Sequence, residues 1–207
     1  MSSDLMERLI EALKKLPFEI YLETAVETIT SEGVVAKGQF YPADLIISAL
    51  PGLEISRLTG VPLLLRNQSL SVVNFGFEGD LLSKKGYGYL VPSSSQENIL
   101  GQIWDSSVFP CLGQTKLSSM IIGENPVAIA LSALKRHLDI TANPQAITCK
   151  KAQIPQYDVG HLTQIDFFEK KILSQFSGKL QLVGNYLSGA SVESCLSRSF
   201  KIIHTNC

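Results

Sequence analysis

Residues 180–195 read Leu180-Gln181-Leu182-Val183-Gly184-Asn185-Tyr186-Leu187-Ser188-Gly189-Ala190-Ser191-Val192-Glu193-Ser194-Cys195. Leu180, Leu182 and Val183 predict a short buried strand. Gly184, Ser188 and Gly189 are turn residues, because glycine lets the backbone bend or come close to a ligand. From Ala190 the pattern is helical, and no proline interrupts it as far as Ile203. A strand, a glycine turn and a helix start leave backbone N–H groups free at the helix end, where the dipole favours negative charge. The stretch therefore predicts an anion-binding turn between a strand and a helix.

Working outward from it, the preceding segment from Leu162 to Phe176 predicts a helix closed by Gly178. At the other end of the chain, Leu5, Leu9, Leu13 and Leu16 repeat at helical spacing before Pro17. Short β segments follow at Ile20 to Leu22, Ala25 to Thr30 and Val34 to Gln39, with a hairpin turn at Ser31-Glu32-Gly33. Leu45 to Leu50 is a continuous apolar run that suits a strand covered on both faces, as in an α/β sheet. A short helix is predicted near Leu53 to Leu58.

Near Ser69 the texture changes. Leu70 to Phe77, Tyr89 to Pro92, Ile99 to Asp105 and Leu117 to Ile122 predict strands of an antiparallel meander. A helix is predicted from Pro126 to about Ile140, and a strand from Ala146 to Ala152. Ile154-Pro155-Gln156-Tyr157 reads as an extended connector. The expected fold class is α/β, with a second, α+β domain inserted on an antiparallel sheet. The expected organisation is 1–68, then an inserted 69–153, then a return over 154–207. Leu45 to Leu50 and Leu180 to Val183 are expected to share one sheet or to pack in adjacent layers.

The chain has 207 residues, 45% hydrophobic and 18% charged, with a net charge of -1. That balance, with no basic run interleaved with aromatics, gives no expectation of nucleic acid as a partner. Cys111, Cys149, Cys195 and Cys207 have no close paired spacing, so reduced thiols in a cytoplasmic compartment are expected rather than a zinc site or disulfide framework. His137 and His161 fit no metal spacing and read as a residue near a helix end and a helix-start residue. Gly189-Ala190-Ser191-Val192-Glu193 imitates G-x-S-x-G, but Glu193 replaces the last glycine. Between the serine and His204 the only acid is Glu193, too close to Ser191 in sequence to reach round, so a serine hydrolase is set aside.

Three further stretches stand in order before residue 184. They are Gly86-Tyr87-Gly88-Tyr89-Leu90-Val91-Pro92; Leu100-Gly101-Gln102-Ile103-Trp104-Asp105-Ser106-Ser107-Val108-Phe109-Pro110; and Ile154-Pro155-Gln156-Tyr157-Asp158-Val159-Gly160-His161. Together with Gly184-Asn185-Tyr186 they resemble the oxygen-dependent protoporphyrinogen oxidases of the flavin amine oxidase superfamily, from about Leu5 to Arg198. The resemblance implies a partial FAD-binding, Rossmann-like domain with an inserted substrate-binding domain. It implies FAD as cofactor, a porphyrinogen as substrate and molecular oxygen as acceptor, in haem biosynthesis. Residues implied at the cofactor are Val26 on the adenine side, Gly184, Gly189, Ala190, Ser191 and Val192. Leu100 is implied at the porphyrinogen ring, on a substrate-pocket floor made by Leu70 to Ile122. No side-chain acid or base is implied, and protoporphyrinogen and coproporphyrinogen are both open as substrates. The G-x-G-x-x-G that begins this family is absent from the chain. The expectation is therefore a C-terminal half, whose missing N-terminal half carries the pyrophosphate site and any peripheral membrane contact. The alternative is a truncated, non-catalytic fragment that associates with a partner half.

Overall fold

The computed structural model describes residues 3–109 and 113–206. Its elements are α1 (Ser3–Leu13), β1 (Val26–Thr30), β2 (Gly33–Ala36), β3 (Gln39–Pro42), β4 (Ile46–Ser48), α2 (Gly52–Thr59), β5 (Arg66–Glu78), β6 (Gly88–Leu90), β7 (Ile99–Ile103), α3 (Asp105–Val108), β8 (Gln114–Ile121), α4 (Pro126–Leu138), β9 (Ala146–Gln156), α5 (His161–Gln175), β10 (Leu180–Leu182) and α6 (Val192–Asn206). They form two compact units. One joins Met1–Leu64 to Gly160–Cys207, and the other is Leu65–Val159.

In the discontinuous unit, β4 and β10 pair in parallel, Ile46 opposite Leu180 and Ser48 opposite Leu182. The two apolar runs expected to share a sheet do so, across more than a hundred residues of chain. The Val183 N–H donates to the Ser48 carbonyl at 2.9 Å and extends the ladder by one bond. The expected cover on both faces is not found, since Ile47 is 48% exposed and Leu45 38%. Two parallel strands leave an edge open on each side, and parallel sheets normally have both faces covered.

A separate three-stranded antiparallel sheet runs β1-β2-β3. The sequence predicts a single strand over Val34 to Gln39, but Lys37 and Gly38 both take positive φ, 50° and 71°. Positive φ at both central residues is the tight hairpin that suits strand twist, so the segment folds back as β2 and β3. Ile20 to Leu22 forms no strand. The core of this unit gathers Ile55 of α2, Ile165, Phe168 and Ile172 of α5, and Leu180 and Leu182 of β10, all buried.

The continuous unit is a five-stranded antiparallel sheet in the order β6-β7-β8-β5-β9. Only β6, β7 and β8 follow as a meander. The long β5 is placed between β8 and β9, pairing Phe75 with Leu117 on one side and with Ile147 on the other. The expected connector at Ile154–Gln156 is instead the end of β9, where Pro155 lies opposite Asn67. β9 is the edge strand, so a proline without an N–H is tolerated there. Strand alternation sends Val73, Phe75 and Phe77 of β5 and Leu117 and Ile121 of β8 to one face. Ala130, Ala133 and Leu134 of α4 close over them, with Ile99 and Ile140 in the same cluster. At ~25 cal/mol per Å2 of apolar surface, each of the valine, leucine, isoleucine and phenylalanine side chains in it contributes about 1.5–3 kcal/mol by leaving water. The other face carries Val72, Asn74 and Gly76 from β5 and Lys116, Ser118 and Met120 from β8.

Candidate functional site

The turn between β10 and α6 is built by two buried plugs. Tyr186 and Leu187 are 1% and 0% exposed. The Tyr186 ring lies so close to Gly52, at the start of α2, that a Cβ there would come within 2.7 Å of it. His161, the first residue of α5, is buried, and its Nε2 lies 3.0 Å from the Leu187 carbonyl. The sequence reading of His161 as a helix-start residue holds, and the structure adds that it ties α5 to the turn. On the far side, Arg198 of α6 donates through Nε to the Leu182 carbonyl at 2.8 Å and through a terminal nitrogen to the Glu169 carboxylate of α5. Burial outweighs Arg198 and raises the Glu169 pKa above the usual carboxylate value. Burial also raises the Tyr186 phenol, whose oxygen has no partner among the described residues. Strand, turn and helix are thus fixed to one another before any ligand arrives.

The helix begins two residues later than the sequence predicts. Ser191 is the cap, its Oγ accepting the Ser194 N–H at 3.0 Å while its carbonyl accepts the Cys195 N–H at 3.1 Å. Ser191 Oγ and Ser194 Oγ also lie 2.8 Å apart. This is the ordinary N-cap arrangement. It leaves the Val192 and Glu193 N–H groups without a partner among the described residues, at the positive end of a 15-residue helix. Ala190, Ser191 and Val192 are all exposed, so these amides are open to a ligand. Glu193 adds a negative side chain in the first turn.

The structure gives Gly189 a role that the sequence does not show. A Cβ at 189 would lie 2.4 Å from Ser194 Oγ and 2.5 Å from Ser194 Cβ. Glycine is required there by the packing of α6 itself. Gly184 has φ 147° and Tyr186 beside it, also a backbone demand. Gly184, Gly189, Ala190, Ser191 and Val192 therefore sit on one connection. Val26 begins β1 in the three-stranded sheet, a different sheet from the one carrying this turn.

Leu100 lies in β7 at a bulge between Ile99 and Gly101 and is 37% exposed, whereas Ile99 and Gln102 are buried. In the same unit His137 stands in the last turn of α4, as the sequence predicts, and the structure adds its partners. The Tyr89 hydroxyl lies 2.8 Å from His137 Nδ1, and His137 Nε2 lies 3.2 Å from the Glu97 carboxylate, which also pairs with Arg136 at 2.6 Å. Burial raises the Tyr89 pKa to about 12. These groups line a cavity of about 670 Å3 with Trp104 and Leu138. Sequence spacing cannot signal these contacts, because Tyr89 of β6 and His137 of α4 stand 48 residues apart and are brought together by the fold. Among the described residues no group of three or more His, Cys, Asp or Glu could hold a metal, Cys149 and Cys195 are free thiols, and no helix is long and apolar enough to cross a membrane. Cys111 and Cys207 lie outside the described residues.

No family model matches the chain. It is 24% identical to the protoporphyrinogen oxidase of Dictyostelium discoideum, over 97% of this chain and 49% of that protein. With the protoporphyrinogen oxidase of Schizosaccharomyces pombe the identity is 27%, over 90% of this chain and 43% of that protein. The chain thus spans about half the length of the curated relatives it matches. A crystal structure from Exiguobacterium sp. 255-15, named as a candidate protoporphyrinogen oxidase, superposes with a TM-score of 0.83 at 20% identity, covering 97% of this chain and 50% of that one. Putrescine oxidase superposes with a TM-score of 0.64 at 14% identity, over 96% of this chain and 51% of that one. In sequence the chain resembles protoporphyrinogen oxidases, and in fold it matches about half of the α/β architecture, with its antiparallel sheet, that these oxidase structures share.

Proposed function

We propose that the chain supplies the flavin-ring contact and the substrate floor of an FAD-dependent oxidoreductase of the protoporphyrinogen oxidase type, oxidising protoporphyrinogen IX to protoporphyrin IX with molecular oxygen as acceptor. The observation that carries this reading is the open start of α6, with the Val192 and Glu193 N–H groups unpartnered and the turn before them locked by Tyr186, Leu187, His161 and Arg198. FAD, when bound, supplies the redox chemistry and takes up the electrons from the substrate. The residues present fit it: free amides at a helix N-terminus stabilise negative charge at the polar edge of the ring. Gly184, Gly189, Ala190, Ser191 and Val192 are the contacts proposed on this side, Val26 the contact proposed for the adenine side, and Leu100 the contact proposed for the porphyrinogen. Gly189 serves indirectly, by letting α6 begin close to the turn.

The chain has no G-x-G-x-x-G to hold the pyrophosphate. We therefore expect weak FAD binding and a colourless protein after purification without added FAD. A stoichiometric flavin spectrum at that stage would overturn the expectation of weakness. The flavin reading itself is tested with Val192→Pro. Proline removes one of the two free amides yet is favoured at the first helical position, so the fold is expected to be kept. Titration with FAD should show weaker binding in Val192→Pro at an unchanged melting temperature. Equal affinity, or no wild-type binding even at millimolar FAD, would overturn it.

A second reading is a non-catalytic piece that only associates with a partner half. It is favoured by the exposed apolar face of α6, where Val192, Leu196, Phe200 and Ile203 are uncovered. Binding of FAD by the chain alone separates the two readings.

A further inference from the structure

On the face of the five-stranded sheet away from α4, four polar side chains form a chain across three strands and α3. Asn74 Nδ2 lies 3.0 Å from Thr148 Oγ1, and Ser118 Oγ lies 2.7 Å from Asn74 Oδ1 and 2.6 Å from Asp105 Oδ2. Ser118 has one hydroxyl proton and faces two oxygen acceptors, so only one of them can be served. Turning the Asn74 amide over resolves this, since amide orientation follows the hydrogen-bond network. Thr148 then donates to Asn74 Oδ1, Asn74 Nδ2 to Ser118, and Ser118 to Asp105. Every donor then runs toward one terminal acceptor, the Asp105 carboxylate, whose Oδ1 is left without a hydrogen-bond partner among the described residues.

The same hollow, about 380 Å3, contains Lys116. Its ammonium has no ion pair among the described residues. Lys116 and Ser118 are two positions apart on β8 and point to one face, about 6.8 Å apart at Cα. Gly76 and Ala146 keep the floor between them low, and a Cβ on Gly76 would make only an ordinary 3.5 Å contact with Ala146. The hollow therefore offers a fixed hydrogen-bond acceptor, Asp105 on Ser118, and in the same lining a cation that stands one strand repeat along β8 from that serine.

We infer that this hollow is a tetrapyrrole subsite in which Asp105 accepts a pyrrole N–H and Lys116 pairs with a peripheral carboxylate of the same molecule. This rests on the oxidase reading above and adds two positioning residues to it. A tetrapyrrole carries both complementary groups, N–H donors at its centre and carboxylates at its rim. A hydrogen bond to a charged acceptor is worth more than a neutral one, and the preset chain from Thr148 to Asp105 means little reorganisation on binding.

Trp104, the single tryptophan, immediately precedes Asp105 and provides the readout. Protoporphyrin IX and its dimethyl ester are titrated into the full chain, following Trp104 quenching and the porphyrin absorption band, with melting curves for each variant. Lys116→Gln should weaken protoporphyrin IX about tenfold and leave the dimethyl ester unchanged. Asp105→Asn should weaken both, by about tenfold or more, and Ser118→Ala should weaken both by less. Wild-type binding that no variant changes would overturn this inference while leaving the oxidase reading in place. Absence of any binding by the wild type would overturn the oxidase reading and this inference with it. Should Asp105→Asn lower the melting temperature, the ester discrimination at Lys116 still decides, since that side chain is exposed.

Discussion

The two units solve the burial problem differently. In the continuous unit, β5 runs thirteen residues between two antiparallel neighbours, and one helix closes its apolar face. In the discontinuous unit, the sheet beside the candidate site is two parallel strands of three residues each. Its buried core is real, with Phe168, Ile172, Leu180 and Leu187 all at or below 1% exposure. Yet Leu9, Leu13, Ile47, Leu196 and Phe200 remain exposed around it. Antiparallel strands joined by turns find their partners locally, whereas parallel strands need crossovers and cover from elsewhere in the chain or outside it. A unit of the first kind is complete when folded. One of the second kind has surface left to place.

The sharpest way to break this contrast is a large cavity in the closed unit. Leu117→Ala, at a position with no exposure, is expected to cost about 2–5 kcal/mol, read by urea denaturation. A cost near zero would mean that the sheet and α4 are not a closed core. Gly189→Ala should cost about 1–3 kcal/mol from overpacking against Ser194, and adding Ser194→Gly should recover most of it. Failure of that rescue would show that Gly189 is constrained by something other than α6. Ser191→Ala removes the α6 cap and should cost about 1 kcal/mol, checked by thermal melting.

A pH scan sharpens the comparison at the Tyr89–His137 pair. Tyr89 is raised by burial to about 12 in the folded chain, against 10.0 as the ordinary value. A raised phenol contributes stability that is fully present below pH 10 and is lost as pH rises through about 12. The continuous unit should therefore weaken over that window, and near-ultraviolet titration of Tyr89→Phe should show one late-titrating tyrosine fewer than the wild type, an unchanged count overturning the assignment. The smallest effect is expected for Leu196→Ser on the exposed face of α6, within about 0.5 kcal/mol of wild type by urea denaturation. A loss like that of Leu117→Ala would mean the α6 face is covered.

Much of the fold is legible in local pattern. The helices at Pro126 and His161 follow from a proline at the first turn and from apolar spacing. The strands at 70–77 and 117–121 follow from period-two burial. What local pattern misses is pairing. Nothing near Lys37-Gly38 except its turn chemistry marks the hairpin between β2 and β3, and nothing around Leu70 to Phe77 says that β5 lies between β8 and β9. The candidate site divides in the same way. Gly184 to Val192 is a contiguous signal, whereas Arg198 on Leu182, His161 on Leu187, and Asp105 on Ser118 are contacts between residues far apart in the chain.

The sequence alone determined the strand-turn-helix at 180–195, the two apolar runs that share a sheet, the absence of a G-x-G-x-x-G, and the resemblance to an oxidase family. Each depends on neighbours in the chain, on residue type, or on a quoted motif. Only the tertiary structure decided that α6 begins at Val192 behind a Ser191 cap rather than at Ala190, that Gly189 is held by Ser194, and that Asp105 ends a donor chain in the hollow that also holds Lys116. Those outcomes turn on distances of a few ångströms between side chains brought together by sheet register and helix packing, which no spacing along the chain encodes.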